Sequence, residues 1–144
     1  MLKASDVMSQ NPTTATPRDT IQTVAQLMSS ENVGVIPVIE EGSNNRLVGV
    51  VTDRDIVVRA VAEGRNPGEV TVEQVMTPDV VTVEPGDDAQ KAVELMENHQ
   101  IRRILVCNGD QLVGVIAQAD IARQGSDLQT GELVEEISQK NGAN

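Results

Sequence analysis

The stretch Gly49-Val50-Val51-Thr52-Asp53-Arg54-Asp55-Ile56 decides how this chain is read. It follows the apolar pair Leu47-Val48 and leads into Ile56-Val57-Val58, with Ala60, Val61 and Ala62 beyond. That pattern is a strand turning sharply into the first turn of a helix. Thr52 and Asp55 stand three apart at the junction. Two readings of the pair are open. A helix N-terminus offers unpaired N–H groups and a partial positive charge, which suit phosphate, and a carboxylate there can accept hydrogen bonds from a ribose diol. Equally, Ser/Thr-x-x-Asp/Glu before an apolar run is a capping box, in which Thr52 bonds the Asp55 N–H and Asp55 reaches back.

The stretch recurs, and the recurrence organises the chain. Val7-Met8-Ser9 returns as Val75-Met76-Thr77, Pro17-x-Asp19 as Pro85-x-Asp87, and Leu27-Met28 as Leu95-Met96. Leu47-Val48-Gly49-Val50-Val51 returns as Leu112-Val113-Gly114-Val115-Ile116, and Asp55-Ile56 as Asp120-Ile121. The offset shortens between the two sets, so the first copy carries extra residues in the loop Glu40–Arg46, where insertion is tolerated. The expected organisation is repeat 1 over residues 5–64, a linker over 65–71, repeat 2 over 72–124, and a tail over 125–144.

Each copy predicts the same elements. A short extended piece comes first, around Thr13–Ala15 and around Val80–Val83. A helix follows: Ile21, Val24, Ala25 and Met28 recur at i, i+3, i+4, i+7, as do Ala89, Ala92, Val93 and Met96. Asp19 and Asp87 are the expected N-caps. Two strands come next, Val35–Ile39 with Leu47–Val51 and Ile104–Cys107 with Leu112–Ile116, the second pair joined through the hairpin signal Asn108-Gly109. A second helix closes each copy, over about Asp53–Glu63 and Gln118–Arg123, and Gly64 is a natural stop for the first of these. In the tail, Leu133, Val134 and Ile137 suggest a short amphipathic helix.

Composition narrows the function. The 144 residues include no Phe, Tyr or Trp, so the core must be built from Val, Ile, Leu, Met and Ala. A net charge of −11 argues against a nucleic-acid or anionic-membrane surface, which needs basic patches. The single cysteine, Cys107, lies in an apolar run and reads as a buried thiol. No apolar run approaches the ~20 residues of a membrane span, and Met1–Asp6 has no signal-peptide pattern, so the expected compartment is the cytosol. His99, the only histidine, follows a helical pattern and suits the C-terminal end of a helix better than a catalytic role. No Ser/His/Asp set, Cys/His pair or metal-ligand cluster is readable, and the expected protein is not an enzyme.

A β-α-β-β-α unit used twice, with VMSxNPTT and VMTPDVVTVEP at its starts, VGVIPVIE and IRRILVCNG in its middle, and LVGVVTDRDI and LVGVIAQADI at its ends, resembles the cystathionine-β-synthase (CBS) domain. The tandem resembles a CBS pair, or Bateman module, of the stand-alone bacterial kind. The resemblance implies an α+β (α/β) fold in which the two repeats are related by a pseudo-twofold axis, with sheets packed face to face. It implies two clefts between the repeats that bind AMP, ADP, ATP or S-adenosylmethionine, with no other cofactor required. Cleft one would use Thr52 and Asp55, with Arg54 at its edge, Arg102 and Arg103 toward phosphate, and Pro78 and Val80 beside the base. Cleft two would use Asp120 with Thr13, Gly34, Val35 and Pro37. Ala117 stands where the first copy has Thr52, and Gly34-Val35 stand where the second has Arg102-Arg103. The clefts are therefore expected to be unequal, cleft one being the stronger.

The expected function is a regulatory module sensing an adenine nucleotide. The competing class is a ligand-free dimerisation or protein-interaction module. The resemblance also implies a homodimer, for which the apolar faces around Ile21–Met28, Ala89–Met96 and Ile56–Val61 would supply helix surface, and it leaves room for a protein effector.

Overall fold

In the computed structural model the described residues are 1–128, with side chains through residue 123. The suggested helix at Leu133–Ile137 lies outside them. The described residues form two compact units, residues 13–80 and residues 1–12 together with 81–128.

In the unit 13–80, helix α2 (Ile21–Glu31) is followed by strands β2 (Val35–Ile39) and β3 (Leu47–Thr52). Helix α3 (Asp53–Ile56) comes next and continues as a wider π-helical turn, Val57–Val61; helix α4 is Val72–Val75. The other unit holds helix α1 (Ala4–Val7) and strand β1 (Ser9–Gln10). It continues with β4 (Thr82–Val83), α5 (Ala89–His99), β5 (Arg103–Asn108), β6 (Gln111–Ala117) and α6 (Gln118–Leu128). The two central hairpins, the helices before them and the mixed α/β class are those expected.

The two units are built alike. Antiparallel β2–β3 pairs Val35 with Thr52 and Val38 with Gly49. Single bridges extend it on both sides, Ala15 with Val38 in parallel and Thr77 with Val50 antiparallel. In the other unit the order is β1-β6-β5-β4. Ser9 pairs with Val115 antiparallel, and Thr82 pairs with Leu105 in parallel. Each unit thus takes its outer edge segment from the other sequence repeat: the first Val-Met copy covers the second hairpin, and the second copy covers the first.

Two glycines make that cover possible. A Cβ on Gly49 would sit 2.8 Å from the Thr77 carbonyl oxygen and 3.2 Å from the Met76 sulfur. A Cβ on Gly114 would meet the Met8 sulfur at 2.5 Å and the Ser9 carbonyl oxygen at 3.0 Å. The Gly of each Leu-Val-Gly-Val motif and the Met of each Val-Met motif are therefore one packing device.

The helical faces close the cores. Ile21, Val24 and Met28 of α2 are buried with Ile36, Val38 and Val51. Ala89, Ala92, Val93 and Met96 of α5 are buried with Ile104, Val106 and Ile116. Both faces are therefore consumed within their own units and are not the free dimerisation surface expected of them. Only the third survives: Val57, Val58 and Val61 are 55%, 47% and 58% exposed.

The N-caps sit one residue later than expected. The Thr20 hydroxyl accepts the Thr23 N–H at 3.3 Å, and Asp88 accepts the Gln90 N–H at 3.0 Å. Asp19 and Asp87 instead close the turns that precede these helices, accepting the N–H groups of Thr16 and Glu84 at 2.9 and 2.8 Å. That Glu84 N–H, aided by Lys91, holds the Asp87 carboxyl below its usual value.

The helix after β3 is shorter than Asp53–Glu63. Ala62 N–H bonds the Val57 carbonyl in the wider i→i+5 pattern, and Gly64 turns the chain at φ +69°. In the second hairpin Asn108 already pairs with Gln111, so the two-residue turn is Gly109-Asp110. Cys107 is buried, and burial with Glu84 and Asp110 nearby pushes its thiol up to about 11.

The packing device is testable. Gly49→Ala should cost roughly 1–3 kcal/mol, because its methyl meets backbone rather than a movable side-chain end. Gly86→Ala, with nothing within 4 Å of the added carbon, should change stability by less than about 0.5 kcal/mol. Equal denaturant midpoints for the two variants would refute the device.

Candidate functional site

Strand β3 delivers Thr52 in extended conformation to the start of α3, and the capping box forms in full. The Thr52 hydroxyl accepts the Asp55 N–H at 3.0 Å, and the Thr52 N–H donates to Asp55 Oδ2 at 2.9 Å. The capping alternative for this pair is realised. Among the described residues Asp55 is the only buried charged residue, at 8% exposure.

A buried carboxylate needs partners, and two more come from residues the sequence reading did not select. The Thr77 hydroxyl donates to Asp55 at long range, 3.3 Å to Oδ1 and 3.4 Å to Oδ2. The Arg59 guanidinium approaches Oδ1 at 4.0 Å. Its other arm donates to the carbonyls of Val75 and Met76 at 3.1 and 3.2 Å. Arg59 was reachable from the sequence, since it stands four residues after Asp55 on one helix. Thr77 was not, because nothing local ties it to a residue 22 positions earlier.

The structure groups several expected residues around this junction. Val35 pairs with Thr52, and the Gly34 carbonyl accepts the Asp53 N–H at 2.9 Å. A Cβ on Gly34 would lie 3.0 Å from an Asp53 carboxylate oxygen, so the glycine leaves room for that acid. Arg54 and Pro78 are exposed, Val80 is half-buried, and Pro37 is buried, its carbonyl accepting the Ala15 N–H at 2.9 Å. The Thr13 hydroxyl donates to Glu31 at 2.7 Å and so points to α2.

The other unit repeats the backbone with different chemistry. Arg103 pairs with Ala117, and the Arg102 carbonyl accepts the Gln118 N–H at 2.9 Å. Arg102 and Arg103 therefore stand where Gly34 and Val35 stand in the first unit, beside the strand end that leads to Asp120. Both are exposed. Ala117 offers no hydroxyl, and Asp120 is ion-paired with Arg123. The two junctions share a main-chain course and an aspartate, Asp55 or Asp120, and differ in the polar groups beside it. Among the described residues no group of three or more His, Cys, Asp or Glu is placed to hold a metal ion, and no helix is long and apolar enough to cross a membrane.

A model of the CBS domain family matches residues 4–61 and 72–127. The chain is 39% identical to the CBS domain-containing protein YhcV of Bacillus subtilis, over 98% of this chain and 99% of that one. It is 34% identical to hypoxic response protein 1 of Mycobacterium tuberculosis over 85% of each. A crystal structure of Hypoxic Response Protein I with two coordinated zinc ions is similar with a TM-score of 0.75 at 33% identity, covering 86% of this chain and 99% of that one. The CBS domain pair of protein MJ0100, in complex with 5-methylthioadenosine and S-adenosyl-L-methionine, is similar with a TM-score of 0.72 at 25% identity, over 88% and 98% of the two chains.

The contrast between junctions has a measurable consequence. Thr52→Ala removes a formed cap and should cost about 1 kcal/mol in unfolding free energy. Asp120→Ala removes a partly exposed ion pair and should cost less than about 0.5 kcal/mol. Chemical denaturation of both variants checks this, and a larger loss for Asp120→Ala would contradict it.

Proposed function

This chain belongs to the CBS domain family, and on that premise we propose that it is a regulatory module of the cytosol, not an enzyme, that binds an adenosine derivative. The observation that carries the reading is the buried Asp55, gathered with Thr52, Thr77 and Arg59 at the β3–α3 junction. A buried carboxylate with two long, weak contacts is suited to exchange them for ribose hydroxyls. Support comes also from the MJ0100 domain pair, whose ligands are 5-methylthioadenosine and S-adenosyl-L-methionine.

In the proposed site Thr52 and Asp55 hold the ribose side, and Arg54, Pro78 and Val80 border it. A weaker second site centres on Asp120, which is already paired with Arg123. Purines would lie between aliphatic side chains, forgoing the ~1–3 kcal/mol of aromatic stacking per base. The nucleotide is a regulatory ligand, and no cofactor is required.

Titration of the full chain with AMP, ADP, ATP and S-adenosylmethionine should show one dominant site per chain. Asp55→Ala should remove it and Asp120→Ala should leave most of it, with thermal unfolding confirming that each variant is folded. An Asp55 held ready by its cap, against an Asp120 already paired with Arg123, should separate the sites by about tenfold, or ~1.4 kcal/mol. The opposite pattern would reverse the assignment, and no binding at millimolar ligand would hand the lead to the second reading.

That second reading is an interaction module acting by dimerisation without ligand. The exposed Val57, Val58 and Val61 favour it, because three neighbouring apolar side chains left in water mark a contact surface. Dimerisation fits the ligand reading as well. Light scattering should give about twice the 15.4 kDa of one chain, and Val58→Asp should reduce it toward one. A wild-type monomer at micromolar concentration would exclude both dimer proposals.

A further inference from the structure

Asp55 cannot be reached without a change in its present contacts. Its side chain is 11% exposed, and its two oxygens already face three donors. The contacts are unequal. The Thr52 N–H lies at 2.9 Å and belongs to the cap, whereas the Thr77 hydroxyl lies at 3.3–3.4 Å and Arg59 at 4.0 Å. A hydroxyl entering from a ligand would displace the two long contacts and leave the short one.

Both long contacts are anchored in one segment. Thr77 exchanges main-chain hydrogen bonds with Val50, at 2.9 and 2.8 Å, as the outer edge of β3. Arg59 holds the Val75 and Met76 carbonyls while it faces Asp55. The π-helical turn Val57–Val61 carries Arg59 to that position, and such turns often mark working sites. Residues 75–77 run on to Val80, the last residue of this compact unit.

We infer that Thr77 and Arg59 form a latch on Asp55: an adenosine derivative that bonds Asp55 displaces both, and so loosens the 75–77 segment that leads out of the unit. The latch rests on the ligand reading of the junction and adds to it the route by which occupancy changes the chain. Thr77 and Arg59 act through Asp55, so they are positioning residues and not ligand contacts. The latch also sets affinity, because binding must break what it replaces.

Hydrogen exchange of the full chain, without ligand and then with AMP or S-adenosylmethionine, tests this. Without ligand, Thr77→Val and Arg59→Gln should each speed exchange of the Val50 and Thr77 amides, by about two- to tenfold, the range expected for one weak hydrogen bond. The Asp53 amide, bonded to Gly34, should not change, and Thr77→Ser should keep the wild-type rates. With ligand, wild type should exchange faster at residues 75–77. Thr77→Val should bind the probe about two- to tenfold more tightly and show no further change there. Slower exchange at 75–77 on binding, or weaker binding by Thr77→Val, makes Thr77 a ligand contact and overturns the latch while the ligand reading stands. If neither probe binds wild type or Thr77→Val, the ligand reading fails and the latch falls with it.

Discussion

Each hairpin in this protein has an outer strand edge that its own sequence repeat does not cover, and the rest of the structure depends on how that edge is closed. An open edge leaves a row of backbone N–H and C=O groups without partners. Here Ser9 and Gln10 cover β6, and Thr77 covers β3. The approach is so close that Gly114 and Gly49 have no room for a side chain. In a chain without aromatic residues, methionine takes the filling role, since its flexible thioether adapts to an irregular gap. Met8 and Met76 lie over those glycines. Because each covering segment precedes the repeat it does not serve, neither repeat completes its own sheet.

The elements were legible where the signal is local. The helical faces of α2 and α5, the two hairpins and the strand-to-helix junctions follow from spacing that can be read within a dozen residues. The caps were misread by one position because Pro-x-Asp offers its acid to the turn before the helix, leaving the next residue, Thr20 or Asp88, to cap. The short helices α1 and α4 and the edge strand β1 were not legible. Their stability comes from pairing with residues far along the chain, Ser9 with Val115 being the clearest case, and no local pattern carries that. The π-helical turn was invisible for a different reason: Val57–Val61 has the composition of an ordinary helix.

The site was legible in the same partial way. Thr52 and Asp55 were visible as a pair, and so were the substitutions that make the junctions unequal, Ala117 for Thr52 and Arg102-Arg103 for Gly34-Val35. The structure adds that these substitutions fall at equivalent backbone positions, next to their own strand-to-helix turns. The first junction therefore keeps two acids, Asp53 and Asp55, beside a bare glycine. The second carries two arginines and an acid already neutralised by Arg123. Burial made Asp55 distinctive, and burial is not written in the local sequence.

The capping box and the ligand site had stood as alternatives, yet they compete less than the sequence suggests. A cap uses one oxygen of a carboxylate and one N–H, and an ionised carboxylate has about four lone-pair directions. In Asp55 the cap takes the shortest bond, and the remaining directions are met only by the long contacts of Thr77 and Arg59. The cap then serves the site: it fixes the carboxylate against the helix start, so that a ligand meets an acceptor already oriented and pays little ordering entropy. Ala117, in the place of the threonine, has no hydroxyl to accept an N–H, and Asp120 is paired with Arg123. At the first junction the Thr52 hydroxyl caps the helix while the Thr52 N–H holds the acid ready.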